Sequence, residues 1–149
     1  MSIKTQLHTY CLSYVEQRIK TSLDAIAQAQ ASANEETRSS AGDKYETGRA
    51  MVQLEIEKSM YQLAEVKKLK QTLEQMVRDR QTLSIQMGSV VLTNQGNFYV
   101  AISAGPFTIL GKVYIAISPA SPIGQKLMGL KAEDSFNLNA KAFKIQEII

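Results

Sequence analysis

From Ile3 to Asn34 the chain contains neither proline nor glycine, and its apolar side chains return every three or four residues. Ile3, Leu7, Cys11, Val15, Ile19, Leu23 and Ile26 make one stripe of an amphipathic helix. A second stripe runs through Val52, Ile56, Met60, Leu63, Val66, Leu69, Leu73, Met76, Arg80, Leu83 and Met87. Its mean step of about 3.5 residues is the heptad spacing of coiled-coil packing. A single long helix leaves such a stripe in water. Two helices joined by a short turn cover each other, so the pattern predicts an antiparallel helical hairpin over residues 1–87. The polar segment from Asn34 to Gly42 supplies the turn, the second helix is expected over residues 43–84, and Gly88 follows as a stop.

Beyond Gly88 the period shortens to that of strands. Strands are expected at residues 89–93, 98–103 and 112–117, and as a closing pair within 136–149; residues 107–110 fit either strand or loop. Ser121 followed by Pro122 reads as an N-cap and a first helical residue, with Gly129 ending a short helix. The fold class is therefore α+β: a helical hairpin over 1–87, then an antiparallel sheet of four to six strands with one short helix over 88–149.

Charge follows the same division. Residues 1–87 hold 12 basic and 11 acidic side chains, whereas residues 88–149 hold five and three. The net charge of +3 does not by itself indicate nucleic-acid binding. Residues 34–46, the expected hairpin tip, carry four acids against two bases. The lone Cys11 excludes an intrachain disulfide and suits a reducing, cytoplasmic setting. The longest apolar stretch, residues 113–117, is far too short to span a membrane, so no membrane association is expected. His8 has neither a second histidine nor a cysteine at ligand spacing, which argues against zinc.

Two acids, Asp43 and Glu46, stand three apart at the start of the second helix. That spacing puts two carboxylates on one helix face, where both can point at a single Mg²⁺. The same pair fits a capping box, with Asp43 as the cap and Glu46 at its third position. Lys67, Lys68, Lys70, Arg78 and Arg80 form a basic stretch that reads first as a solvated helix face.

The run Ser118-Pro-Ala-Ser-Pro-Ile-Gly-Gln-Lys-Leu-Met-Gly129 resembles the signature of the C-terminal domain of bacterial Gre transcript-cleavage factors. The tip segment Gly42-Asp-Lys-Tyr-Glu46 also resembles theirs, although Thr47-Gly-Arg-Ala50 stands where that family usually continues with Asn-Ala, an acid and Tyr. The resemblance implies an antiparallel coiled coil followed by an FKBP-like domain. It implies a monomeric transcription elongation factor that binds RNA polymerase, passes its coiled coil into the secondary channel and stimulates cleavage of backtracked RNA. Asp43 and Glu46 would then act in trans, holding an Mg²⁺ shared with the polymerase, with no cofactor in isolation and only indirect contact with nascent RNA and DNA. Ser118, Pro119, Ser121, Pro122, Ile123 and Gly124 would contact the partner. Such a protein is no enzyme alone, since it assists the polymerase active site. The alternative within the family is a polymerase-binding regulator that modulates or inhibits transcription without cleavage. A prolyl isomerase, suggested by the FKBP-like fold, lacks any isomerase pocket motif here, and fold does not carry function.

Overall fold

The computed structural model describes residues 2–38, 42–77 and 80–149, with the side chains of 35–38 and 42–47 outside the description. Among the described residues are two long helices, α1 (Ile3–Arg38) and α2 (Gly42–Gln75), and a short α3 (Pro122–Leu127). Six strands complete the fold: β1 (Val90–Thr93), β2 (Gly96–Val100), β3 (Gly105–Ile109), β4 (Lys112–Ile117), β5 (Ser135–Leu138) and β6 (Lys141–Ile148). The chain divides into two compact units: Met1–Tyr14 with Gln71–Ile149, and Val15–Lys70. No described helix is long and apolar enough to cross a membrane.

In the unit Val15–Lys70, burial on α2 recurs at Ile56, Ser59 and Val66, with Val52 and Leu63 partly covered. Met60, expected on the stripe, is 56% exposed, and Ser59 takes the covered position. Steps of four and three from Val52 arrive at Ser59, so the small polar residue falls on the covered face and the thioether points to water. Helix α1 also runs past the expected turn, because Glu35, Glu36 and Arg38 are good helix formers with no breaker among them.

Helix α2 ends at Gln75, nine residues before the expected end. Tertiary bonds override a sequence with no glycine or proline there. The Leu73 carbonyl takes the side chain of His8, and the Arg80 carbonyl takes Lys4 Nζ. Further on, Ile85 is buried in the sheet core, with its N–H on Leu130 and its carbonyl accepting from Gly129. An irregular segment satisfies these partners where a continued helix could not.

The sheet order is β3-β4-β2-β1-β6-β5. Every ladder is antiparallel except β2–β4, which is parallel, from Asn97↔Tyr114 to Val100↔Ile117. The expectation of a fully antiparallel sheet is corrected here: the sheet is mixed. The reason lies in residues 101–111, which are long enough to carry the chain back for a crossover. Within them β3 pairs with the far side of β4, so β4 is free to join β2 in parallel. One face of the sheet buries Val91, Phe98, Val100, Ile117, Phe143 and Ile145 with Leu127 of α3 and Ile85. On the other, Val90, Tyr99, Tyr114 and Ala116 are buried, and Tyr10 of α1 stacks on Phe107 with centroids 5.4 Å apart.

Candidate functional site

Both tip acids lie in helical backbone. Asp43 and Glu46 stand three residues apart in the first described turn of α2, after residues 39–41, which lie outside the description. Acids in that turn are favoured by the N-terminal end of the helix dipole. The side chains of Asp43, Tyr45 and Glu46 lie outside the described residues, as does Arg78 of the basic stretch. Among the described residues no group of three or more His, Cys, Asp or Glu is gathered to hold a metal.

Next to this segment in the chain, the last turns of α1 and the first turns of α2 line a cleft of about 540 Å³. Gln30 and Asn34 face it from α1, Arg49 and Gln53 from α2, and Ile56 forms part of its floor. Three amides and a guanidinium offer donors in planar arrays, with the amide oxygens as acceptors, above an aliphatic base. This group was not singled out from the sequence. The signal was present as two polar pairs, 30/34 and 49/53, each four apart and so on one helix face.

The segment 118–124 folds as a closed turn. The Ser121 hydroxyl donates to the Ser118 carbonyl at 2.7 Å and accepts from Gly124 N–H at 3.1 Å, capping α3. Ser118 Oγ accepts from Ser121 N–H at 3.1 Å, while Ser103 Oγ accepts from Ser118 N–H at 3.2 Å. A Cβ placed on Gly124 would lie 2.0 Å from the Ser118 carbonyl oxygen, so only glycine fits. Ser118, Ser121 and Gly124 thus have a structural use in shaping the turn. Pro122 is exposed and Pro119 and Ile123 are half-buried, leaving these three with surface available to a partner.

No protein-family model matches this sequence, and no curated protein matches it.

Of the remaining candidates, Cys11 and His8 are packed inside and Lys68 lies on an exposed helix face. Cys11 is fully buried, and burial pushes its thiol up to about 12, the opposite of an activated nucleophile. His8 is also buried, and since its Nε2 faces the Leu73 carbonyl oxygen at 2.7 Å, the ring proton is on Nε2. Lys68 bonds Glu65 at 3.0 Å, and this hydrogen bond and charge raise the ammonium above its usual value.

Proposed function

We propose that the chain is a Gre-type RNA polymerase-binding factor whose α1–α2 hairpin enters the polymerase secondary channel and stimulates cleavage of backtracked RNA. The observation that carries this reading is the element order. Two helices of 36 and 34 residues precede an α+β sheet, and α3 starts on the Ser118–Gly124 turn whose sequence resembles the Gre signature. The small sheet domain fits the FKBP-like part of that architecture, and the paired helices its coiled coil. A factor of this kind works in the cytoplasm as a monomer, and touches RNA and DNA only through the polymerase.

Asp43 and Glu46 would hold the ion. They occupy one uninterrupted helical segment three residues apart, and a pair of carboxylates suits Mg²⁺, which prefers oxygen ligands and retains waters. When held there, Mg²⁺ would supply an activated water and charge neutralisation for phosphodiester hydrolysis. The chain's part is to deliver and orient the two carboxylates; it catalyses nothing alone. The segment Thr47-Gly-Arg-Ala50 favours a second reading, in which the same hairpin occupies the channel and regulates transcription without cleavage.

The test is RNA cleavage in a stalled, backtracked elongation complex with the unaltered chain and with Asp43→Asn/Glu46→Gln. The leading reading expects stimulated cleavage that drops by about 100-fold or more in the double variant, on the scale of losing a preorganised charge in an active site. Polymerase affinity should hold. Binding without cleavage by the unaltered chain selects the second reading, and absence of binding removes both.

A further inference from the structure

The two outer strands of the sheet, β3 and β5, are finished differently. Each is paired on one side only, and each closes on a two-residue turn with positive φ at both positions, Leu110–Gly111 after β3 and Asn139–Ala140 after β5. Such a turn makes the flanking pairs, Ile109↔Lys112 and Leu138↔Lys141, hydrogen-bonded, and bonded pairs then recur at every second residue. The residues between them turn their N–H and C=O groups away from the sheet. On β3 these are Pro106 and Thr108, and Pro106 has no N–H to offer. Proline at an outward-facing edge position is a common guard against pairing with a further strand.

On β5 the outward residues are Ser135 and Asn137, and the far side of β6 gives the same phase. The Ala142 carbonyl accepts from Asn94 Nδ2 and Gln95 Nε2, each at 3.2 Å, and the Lys144 carbonyl accepts from Asn94 N–H at 3.3 Å. Those oxygens face the β1 side, so the pairs Asn137↔Ala142 and Ser135↔Lys144 share no ladder bonds. Among the described residues nothing takes up the outward N–H and C=O groups of Ser135 and Asn137. Strand β5, Ser-Phe-Asn-Leu, carries no proline, glycine or charge. Its Phe136 is half-buried on the core face and stacks on Phe143 with centroids 4.9 Å apart and planes 3° from parallel. One edge of the sheet is guarded and the other is open.

We propose that β5 pairs with β5 of a second copy of this chain, antiparallel, across a twofold axis at Phe136. The outward phase fixes the register: Ser135 faces Asn137 of the other copy and Asn137 faces its Ser135, each pair exchanging both N–H···O bonds. Phe136 then lies opposite its own counterpart in the closer, non-bonded pair. Adjacent strands are about 4.8 Å apart, so the stack of Phe143 on Phe136 at 4.9 Å continues across the axis at the same spacing. This self-complementarity selects a second copy, because the chain itself supplies the aromatic and the two small polar residues that the edge matches. No charge meets its like, since Asp134 comes opposite Leu138 of the other copy, beside Lys141. With four residues a side, the contact falls below the roughly 1,200 Å² of standard interfaces. The pairing is therefore weak, belongs to the free chain at high concentration, and does not depend on the function proposed above.

The experiment is sedimentation equilibrium of the full chain from about 10 μM to about 1 mM, the range in which an interface of this size dissociates. The mass of the unaltered chain should climb from that of a monomer toward that of a dimer. Ser135 and Asn137 are exposed, so two double variants, Ser135→Lys/Asn137→Lys and Ser135→Glu/Asn137→Glu, change the edge without touching the core. Each alone sets like charges opposite each other on both sides of the axis and should weaken pairing about tenfold. Mixed in equal amounts, the two should pair again, because opposite charges then face each other. Asn137→Pro copies onto β5 the guard that Pro106 provides on β3 and should abolish pairing, since the N–H it removes is not used by the β5–β6 ladder. An unaltered chain that stays monomeric throughout overturns the pairing and leaves the edge to a strand of another protein. Association that both double variants and Asn137→Pro leave unchanged runs through some other surface and overturns it as well. So does a mixture that pairs no better than either double variant alone.

Discussion

His8 donates its Nε2–H to the backbone carbonyl of Leu73 at 2.7 Å, and that bond marks where α2 stops. A helix end leaves its last carbonyls without intrahelical donors. Among the described residues the Leu73 oxygen otherwise receives only a long 3.4 Å bond from Met76 N–H. Both His8 and Leu73 are buried, so water is a poor substitute. His8→Leu is expected to lower stability by about 1–3 kcal/mol, the cost of an unmet buried acceptor. Urea unfolding should show this as a lower midpoint at constant slope. An unchanged midpoint would mean that the bond contributes nothing to holding the first turns of α1 to Leu73.

Gly124 tests the closed turn that begins α3. A methyl group there would fall 2.0 Å from the Ser118 carbonyl oxygen and 2.9 Å from Ser121 Oγ. Gly124→Ala should therefore displace the turn and cost about 3 kcal/mol or more, even though alanine favours helix. Ser121→Ala removes only the cap and should cost about 1 kcal/mol. Thermal unfolding of the two variants gives the ordering, and equal losses would show that the turn gives way easily around Gly124.

Much of the fold was legible because its signals are local. Ser121, Pro122 and Gly129 marked the short helix, Asn94 and Gly96 marked a hairpin turn, and β4 follows the apolar run 112–117 residue for residue. Features decided by distant partners were not legible. Nothing within residues 76–89 says that the chain leaves the helix to bury Ile85, and nothing within β2 or β4 announces that the two run parallel. The exchange of Met60 for Ser59 on the covered face was not legible, because the adjacent methionine carries the stronger hydropathy signal while the serine carries the phase. At the candidate site, the spacing of Asp43 and Glu46 was readable, and both fall in α2. Arg49 and Gln53 escaped notice because polar residues on a stalk ordinarily signify solvent.

Tyr10 and Phe107 provide a measure of how firmly the start of α1 is held to the sheet. Their rings stack with centroids 5.4 Å apart and planes 27° from parallel. A double-mutant cycle with Tyr10→Ala and Phe107→Ala should return a coupling of about 0.5–1.5 kcal/mol. Additive losses would show that the rings are adjacent without stabilising each other, and that burial of Leu7, His8 and Cys11 supplies the attachment.

Cys11 makes stability depend on alkaline pH. Burial pushes its thiol up to about 12 in the folded chain, whereas an exposed cysteine in the unfolded chain ionises near 8.5. The folded state thus keeps a proton that the unfolded state releases. With a raised folded value, the stabilisation is complete below about pH 8.5 and is lost progressively as pH rises toward about 12. Within that window the slope is at most about 1.4 kcal/mol per pH unit. The informative quantity is the difference between the unaltered chain and Cys11→Val, in which the contributions of all other groups cancel. Urea midpoints at pH 8, 9.5 and 10.5 should show the unaltered chain losing ground to the valine variant as the pH increases. A difference that stays constant across these values would mean that the thiol ionises as readily in the folded chain as in the unfolded one, and that Cys11 is not sealed from water.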